Sequence, residues 1–177
     1  DSVILQAGAT VVVEKNNFTR SQVFEGNRLV LNRVTAVLGA SISIQDNIIT
    51  TPARMGCENG GSFIALQLSG MAITDGSLCV VRNSITPIVW SPYSCIPTYG
   101  SATGINIDSS SRFNRSAVTI MDNNFTMGIV GSTALSVTSS FVANTTLALW
   151  FGHLNVSKLA VVFSPSIDSG FATLHDT

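Results

Sequence analysis

The sequence predicts an all-β protein that folds as a parallel β-helix, in which stacked coils contribute short parallel strands to a common core. Three features of the chain support this fold class. A ten-residue pattern recurs four times, apolar and polar residues alternate within each copy as they do along strands, and charged residues make up only 11% of the chain. Surface helices normally carry many charged side chains, so this composition disfavours a helical bundle.

The recurring pattern reads small–apolar–x–apolar–x–x–Asn–x–Phe/Ile–Thr. Its copies are TVVVEKNNFT (10–19), SISIQDNIIT (41–50), SLCVVRNSIT (77–86) and AVTIMDNNFT (117–126). Successive copies are offset by 31, 36 and 40 residues, measured at their final threonines. The period of two predicts a strand, and the two-residue step before the asparagine breaks that period. Each copy is therefore predicted to form strand, bend and strand, and a fifth, degenerate copy is expected at 153–162, with Leu159 in the asparagine position.

Weaker relatives of the pattern lie between the main copies, at 66–74, 105–113 and 135–143. Two strand motifs per turn of about 31–40 residues give about four to five wide coils, whereas about nine thin coils would each be too short to enclose a core. Unequal coils with long insertions favour a right-handed, pectin-lyase-like helix. An antiparallel β-sandwich is the alternative fold, since it also needs many short strands, but it does not need them to be similar.

The same position in every copy holds an asparagine: Asn16, Asn47, Asn83 and Asn123. An inward asparagine at a bend can hydrogen-bond the backbone of its own turn and the asparagine of the next coil. We therefore predict a structural asparagine ladder along the stack. The alternative is that asparagine stands there only because it tolerates the backbone dihedral angles of turns.

The residue before each asparagine is charged, and the charges alternate in sign: Lys15, Asp46, Arg82 and Asp122. These side chains are predicted to form an outward charge column, interpreted as a solvated stack of ion pairs. Enzymes that act on polysaccharides need clustered carboxylates instead, and Asp108 and Asp168 are isolated in the sequence. The chain has two histidines and no Cys-x-x-Cys motif, so no metal site is predicted. No catalytic residue and no cofactor are predicted either, because the usual glycine-rich phosphate and dinucleotide motifs are missing.

Two Pro/Gly-rich stretches, 51–62 and 87–104, follow the second and third copies and are predicted to be loops on one side of the stack. The second stretch contains Trp90, Tyr93 and Tyr99. Exposed aromatic residues on loops are typical contact sites for protein or sugar, so these three residues are a candidate contact loop. The alternative is that Trp90 packs back onto a coil.

Two of the three cysteines, Cys57 and Cys95, fall in equivalent loops after successive copies. Stacking would bring these loops together, so we predict a Cys57–Cys95 disulfide, with two unpaired thiols as the alternative. Cys79 lies within a strand on the face opposite the core, where it is predicted to contribute to strand packing.

Five Asn-x-Ser/Thr sequons are candidate glycosylation sites: Asn17, Asn114, Asn124, Asn144 and Asn155. A chain this rich in Asn, Ser and Thr contains about three sequons by chance, so their position is more informative than their number. Asn17 and Asn124 hold the same place in two copies, between the inward asparagine and the inward phenylalanine. The strand period directs both side chains outward.

Charge and hydropathy exclude several function classes. The net charge is −1 and Lys and Arg are not clustered, which argues against nucleic-acid binding and against a polybasic membrane patch. The apolar runs are far shorter than the about 20 residues that a spanning helix needs, so no membrane span is predicted. The first residue is not Met and the repeats are open-ended. Residues 1–177 are therefore expected to be a single β-solenoid segment of a larger protein, with further repeats of the same polypeptide as its neighbours.

The repeats VVVEKNNFT, ISIQDNIIT, CVVRNSIT and VTIMDNNFTMG, with their Ser/Gly-rich spacers, resemble the dispersed gene family surface proteins of trypanosomes (Trypanosoma cruzi). The resemblance covers about residues 10–165. Those proteins are very large, repetitive glycoproteins with pectin-lyase-like β-helical regions. The resemblance implies a cell-surface or secreted location, N-glycosylation and an adhesive or host-interaction role.

The sequence thus favours a non-enzymatic segment of a repetitive surface glycoprotein. It would contact a host-cell or matrix protein or a glycan through many weak interactions along a rigid repeat surface. One alternative is a polysaccharide-active enzyme on the same fold, either pectate-lyase-like or a glycoside hydrolase, which would need two or three carboxylates within about 5–10 Å. A second alternative is a purely structural stalk without a ligand.

Overall fold

The structure is a computed structural model that describes residues 2–19, 26–54, 63–90, 102–127, 133–156, 159–163, 166–168 and 171–175. The regular elements among these residues are all β-strands, joined by short turns, and no helix among them is long and apolar enough to cross a membrane. The strands are β1 (Val3–Leu5), β2 (Thr10–Glu14), β3 (Asn17–Thr19), β4 (Gly26–Asn32), β5 (Val34–Val37), β6 (Ser41–Gln45), β7 (Ile48–Arg54), β8 (Phe63–Ser69), β9 (Ala72–Thr74), β10 (Ser77–Val81), β11 (Ser84–Trp90), β12 (Ala102–Ile107), β13 (Arg112–Asn114), β14 (Ala117–Met127), β15 (Thr133–Val137), β16 (Ser140–Val142), β17 (Thr146–Val156), β18 (Leu159–Phe163), β19 (Ser166–Asp168) and β20 (Phe171–His175).

The strands form three sheets, and every pairing among the described strands is parallel. Sheet A has the order β1-β5-β9-β13-β16-β19, and sheet C has the order β18-β15-β12-β8-β4. Sheet B contains β2-β6-β10-β14 in its first half and β3-β7-β11-β14 in its second half, with β17 pairing β14 and β20 pairing β17. The chain visits sheets C, A and B in turn and then pairs with the strand one coil earlier. The fold is therefore all-β and parallel, as in a β-helix, and the alternative of an antiparallel sandwich is wrong. The right-handedness of the helix stays a prediction.

The four repeat copies lie directly on one another. Ser41 pairs with Thr10 in β2 and with Ser77 in β10, and Ser77 pairs with Ala117 in β14. The asparagines of these coils are 31, 36 and 40 residues apart. The weaker motifs also lie on one another, in the part of each coil that runs from sheet C to sheet A, and within sheet C Ile105 pairs with Leu66 and Leu135. Each coil thus contains two motifs, and the thin-coil alternative is wrong.

The fifth copy lies at 146–155, so its expected place at 153–162 is wrong. Strand β17 pairs with β14, which matches Leu147 to Val118, Leu149 to Ile120 and Leu154 to Phe125. Leu159 instead begins β18 in sheet C. The physical reason is that Leu147, Leu149 and Leu154 continue the apolar columns of β14, whereas the expected place continued the spacing of the earlier copies by a further 36 residues.

The core is a set of side-chain columns that run through the coils. Ile42, Leu78 and Val118 occupy one column and are at most 1% exposed. Burying one aliphatic side chain of this size contributes about 1.5–3 kcal/mol, so each added coil stabilises its neighbours. A neighbouring contact stacks the rings of Phe113 and Phe141 with centroids 5.2 Å apart.

Three strands of sheet C each carry a small residue that the regular pairing skips: Ala65, Gly104 and Ala134. The register passes from Ile64↔Thr103 to Leu66↔Ile105 and skips the residue between them in both strands. At Gly104, an added Cβ would lie 2.6 Å from a ring carbon of Phe125 and 2.6 Å from the carbonyl oxygen of Ala134. Glycine is therefore required there so that the Phe125 ring can fill the core beneath the sheet.

Candidate functional site

Each repeat bends at an asparagine whose side chain lies inside the coil. Asn47, Asn83 and Asn123 are at most 1% exposed, whereas Asn16 is exposed at the edge of the stack. The backbone N–H of Asn47 and its Nδ2 donate to Oδ1 of Asn83 at 3.1 and 2.9 Å. The same two groups of Asn83 donate to Oδ1 of Asn123 at 3.0 and 2.9 Å. The four residues thus form the ladder that the repeat spacing predicts.

The residue before each asparagine adopts the left-handed conformation. Its φ is 54–55° in all four coils, at Lys15, Asp46, Arg82 and Asp122. This conformation costs a residue with a side chain about 1–2 kcal/mol. The asparagine that follows holds the bend, because Nδ2 of Asn83 donates to the carbonyl oxygens of Val81 at 3.1 Å and of Ile44 at 3.0 Å. The ladder therefore stabilises the backbone conformation that turns the charged side chains outward.

These outward charged residues form the bend column, defined as Lys15, Asp46, Arg82 and Asp122. Arg82 binds Asp46 through two parallel hydrogen bonds, from Nε to Oδ1 and from an Nη to Oδ2, each 2.8 Å. The hydrogen bond from Arg82 and the nearby positive charges lower the pKa of Asp46, and the same pairing raises the pKa of Arg82. Both groups are solvated, so the pair contributes little to stability.

A second corner carries an equivalent ion pair, between sheets A and B. Asp75 and Arg115 also have positive φ, 53° and 46°, and Arg115 donates to both carboxylate oxygens of Asp75 at 2.7 and 2.6 Å. This bonding lowers the pKa of Asp75. The pair was not predicted from the sequence, although both residues stand two positions before the first residue of a repeat copy. That shared offset was the available signal.

The carboxylate of Asp108 lies in a hydrogen-bond network of hydroxyl and amide groups. Its carboxylate accepts hydrogen bonds from the Ser69 hydroxyl, from Gln67 Nε2 at 3.3 Å and from the backbone N–H of Ser110 at 3.1 Å. Burial by itself would raise the pKa of Asp108, but the hydrogen bonds from Ser110 and Ser69 outweigh it, and the pKa is lowered. Asn106 Nδ2 extends the network to Gln67 Oε1 at 3.0 Å. The network holds the corner between sheets C and A.

None of these carboxylates has the properties of a general acid. The pKa values of Asp46, Asp75 and Asp108 are all lowered, whereas a carboxylic acid that donates a proton near neutral pH needs a raised pKa. In the described part of the chain, no group of three or more His, Cys, Asp or Glu residues is placed to hold a metal ion.

The second half of sheet B presents an outward face that we call the sequon face, defined by the positions of Asn17, Ile48, Ser84 and Asn124. These four residues occupy one column. Asn17 and Asn124 are exposed, and each accepts a hydrogen bond on Oδ1 from the threonine of its own sequon, Thr126 to Asn124 at 3.3 Å. Both sequons are therefore accessible on the outer surface.

The other sequons are less alike. Asn144 is exposed in a turn, with φ 53°, and Asn114 is half-buried in β13. Asn155 lies in β17 in register with Thr126, and the structure describes its backbone only. Among the four sequon asparagines whose side chains the structure describes, Asn17, Asn124 and Asn144 are exposed.

The predicted disulfide and most of the candidate contact loop lie outside the described residues: Cys57, Cys95, Tyr93 and Tyr99. Trp90 is the last residue of β11, where its backbone pairs with Arg54. Cys79 is a free, half-buried thiol on the outer face of β10, in register with Ser43 and Thr119. Burial raises the pKa of this thiol, as expected for a residue that packs between strands.

Comparisons of this chain with protein-family models, with curated proteins and with solved structures gave no match. The resemblance to the trypanosome surface proteins therefore stays a prediction. The fold and the site geometry carry the functional argument alone.

Proposed function

We propose that this chain is a non-enzymatic segment of a repetitive cell-surface or secreted glycoprotein, which binds a host-cell or matrix protein or a glycan. The observation that carries the proposal is that outward-facing positions lie in register from coil to coil. The bend column and the sequon face run side by side, and both are fixed to a core and a ladder that repeat with the same spacing. A partner with its own periodic structure would meet an outward side chain at the same place in each coil, with charges that alternate in sign along the bend column.

Repetition in register favours binding through many weak contacts. Neighbouring parallel strands lie about 4.8 Å apart, so groups in one column are presented at a regular, short spacing. After one coil is engaged, the contacts of the next coils form at high effective concentration, which raises the overall affinity without any single strong site. The candidate contact loop follows β11, so Trp90, Tyr93 and Tyr99 are expected to add aromatic contacts beside the sequon face.

The surface or secreted location is supported by the accessible sequons. Asn17, Asn124 and Asn144 are exposed, and the first two sit on strands whose backbone is held by neighbouring coils. Oligosaccharides attached at these three positions would project from the stack without disturbing the core. The chain also buries few charged groups and relies on amide and hydroxyl hydrogen bonds, which suits a rigid extracellular scaffold.

The enzyme alternative is weaker on the described residues. Asp46 is held by Arg82 and Asp75 by Arg115, so both carboxylates are neutralised by a bidentate partner. Asp108 is occupied by hydroxyl and amide donors. A polysaccharide hydrolase needs one carboxyl group that keeps its proton and another that stays free.

The binding proposal is tested with cultured mammalian cells, matrix-coated surfaces and immobilised glycans. Replacing residues 91–100 by a short Gly/Ser linker should weaken binding at least tenfold. The double variant Asp46→Asn with Arg82→Gln should also weaken it, by removing the bend-column charges. Its matched control is Asp75→Asn with Arg115→Gln, which removes an equivalent ion pair at a different corner and should leave binding unchanged.

The alternative to this proposal is a purely structural stalk that has no ligand. The buried ladder and the continuous core would suit a rigid spacer equally well. If the unaltered chain binds none of the cells, matrix proteins or glycans, the chain acts as a spacer and the binding proposal is wrong. If it binds, but the loop replacement and the bend-column double variant bind as it does, the assigned contact surface is wrong.

A further inference from the structure

The first coil is open on one side. Core positions Val11, Val13 and Phe18 are only partly buried, although they continue the same columns as fully covered residues. Their partners in the next coil, Ile42, Ile44 and Ile49, are 0% exposed. The edge formed by β1, β2, β3 and β4, which we call the leading edge, therefore exposes one layer of core side chains.

Exposed large apolar side chains concentrate at the same end of the molecule. Val3, Ile4, Val12 and Val30 are 48–61% exposed, and all four lie on strands of the leading edge. Exposed apolar side chains on three strands of one edge favour an interaction at that edge. The strands also leave one row of backbone groups free for pairing with a further parallel strand.

The asparagine ladder has a direction that specifies what would pair there. Each Oδ1 accepts from the backbone N–H and the Nδ2 of the asparagine one coil earlier, and Asn47 Oδ1 accepts these bonds from Asn16 at 3.0 and 3.2 Å. Among the described residues, no group donates to Oδ1 of Asn16. The next rung therefore needs an asparagine that donates to Asn16 from above the leading edge.

The bend column adds a charge requirement. Its signs alternate from Lys15 to Asp46 to Arg82, and Asp46 pairs with the cation one coil later. A coil placed above Lys15 would continue this alternation with an acidic residue just before its asparagine.

We propose that the leading edge docks a further coil of the same polypeptide, with parallel strands, an asparagine at the bend and an acidic residue before it. The ladder continues an interface that already joins three pairs of coils, and this continuity identifies the occupant. A second copy stacked head to tail fits poorly, since β17 near the other end of the stack places Phe151, and not an asparagine, in register with Asn123. This inference does not depend on the binding proposal, because a coil can dock whether or not the outer surface has a ligand.

The test is a full chain in which a copy of residues 34–70 is joined directly to Val3. Val3 pairs with Val34, which precedes the pair Thr35↔Ala72, so a chain segment that ends at Gly70 enters β1 in register. The copy places Asp46 above Lys15 and Asn47 above Asn16. Amide hydrogen exchange in residues 10–19 should slow at least about tenfold relative to the unextended chain. A copy of residues 111–138 joined to Val3 gives a second extension, which places Asp122 above Lys15 and Asn123 above Asn16, in case the first does not fold.

The matched control carries Asn47→Ala within the copied segment only, and most of the added protection at Asn16 should then be lost. Unchanged exchange in residues 10–19 in both folded extensions would overturn the proposal, as would equal protection with and without the copied asparagine. Concentration-dependent protection of the same residues in the unextended chain, together with a dimer in sedimentation, would instead make a second copy the occupant and overturn the assignment.

Discussion

The bends at Asn83 and at β17 occupy equivalent places in the stack but are built differently. At the first, a left-handed Arg82 precedes a buried asparagine that makes hydrogen bonds in both directions along the ladder. In β17, Phe151 is in register with Asn123, and the pairing shifts on both sides of that position. Gly152 approaches the backbone of Asp122 so closely that an added Cβ would lie 3.1 Å from it.

The difference shows that separate residues of the repeat bury the strand and shape the bend. Leu147 and Leu149 of β17 remain at most 2% exposed although the ladder has ended, so the apolar alternation alone is sufficient to pair and bury the strand. The asparagine instead determines the regular shape of the bend, and with it the outward position of the charged residue. The charged residue before the asparagine is therefore held in the same outward position only in coils that carry the ladder.

The largest effect is expected when the ladder is interrupted in its middle. Asn83→Ala removes the donor to Ile44 and Val81 and leaves Asn47 without its acceptor, all in a fully buried site. The free energy of unfolding, measured by urea denaturation, should fall by about 3 kcal/mol. The matched variant Asn16→Ala, at the exposed end, should cost less than about 1 kcal/mol. Equal losses in the two variants would mean that the ladder does not stabilise the bends.

A smaller effect is expected from adding one methyl group to a glycine, either Gly104 against the regular core or Gly152 in the irregular bend. Gly104→Ala places a Cβ against Phe125 and against the Ala134 carbonyl, so it should cost about 1–3 kcal/mol in urea denaturation. Gly152→Ala adds the same group to the irregular bend, where its nearest contact would be 3.1 Å from the Asp122 backbone, and it should cost less than Gly104→Ala. The reverse order would show that Phe125 does not pack beneath sheet C as described.

Acid should weaken the fold because the described aspartates with shifted pKa values are easier to ionise in the folded chain. The pKa of Asp46 is lowered from 3.8, so the unfolded chain binds its proton first as pH falls. The stability from the ion pair is therefore present above about pH 5 and is lost as pH falls through the folded pKa. The urea midpoint should drop between about pH 5 and pH 2, and less steeply in Asp46→Asn. Arg82→Gln should flatten the profile to the same extent, and a profile unchanged in both variants would contradict the pairing.

The smallest effect concerns the thiols. Cys79 is half-buried with a raised pKa, so iodoacetamide should modify it several-fold more slowly in the folded chain than in urea at pH 7. If Cys57 and Cys95 form the predicted disulfide, peptide mapping without reductant should find Cys79 as the one labelled cysteine after unfolding. Labelling of all three cysteines would refute that disulfide.

The sequence was sufficient to predict the features that repeat with fixed spacing. The core alternation, the bend and the ladder follow from residue types at constant offsets, because stacking places equivalent positions next to each other. The Asp75–Arg115 pair and the Asp108 network join residues about 40 positions apart that lie outside the ten-residue pattern, and the strand register is what brings them together. The last coil was misplaced because its copy retains the apolar positions but not the asparagine.

Hydrogen exchange of the asparagine side-chain amides tests the central claim most directly. The Nδ2 protons of Asn47, Asn83 and Asn123 donate to partners inside the stack, whereas Asn124 projects outward on the sequon face. Nuclear magnetic resonance should show slow exchange for the three ladder residues, with contacts between Asn47 and Asn83 and between Asn83 and Asn123, and fast exchange for Asn124. Exchange of the ladder amides as fast as that of Asn124 would contradict the stacked, ladder-bearing coil.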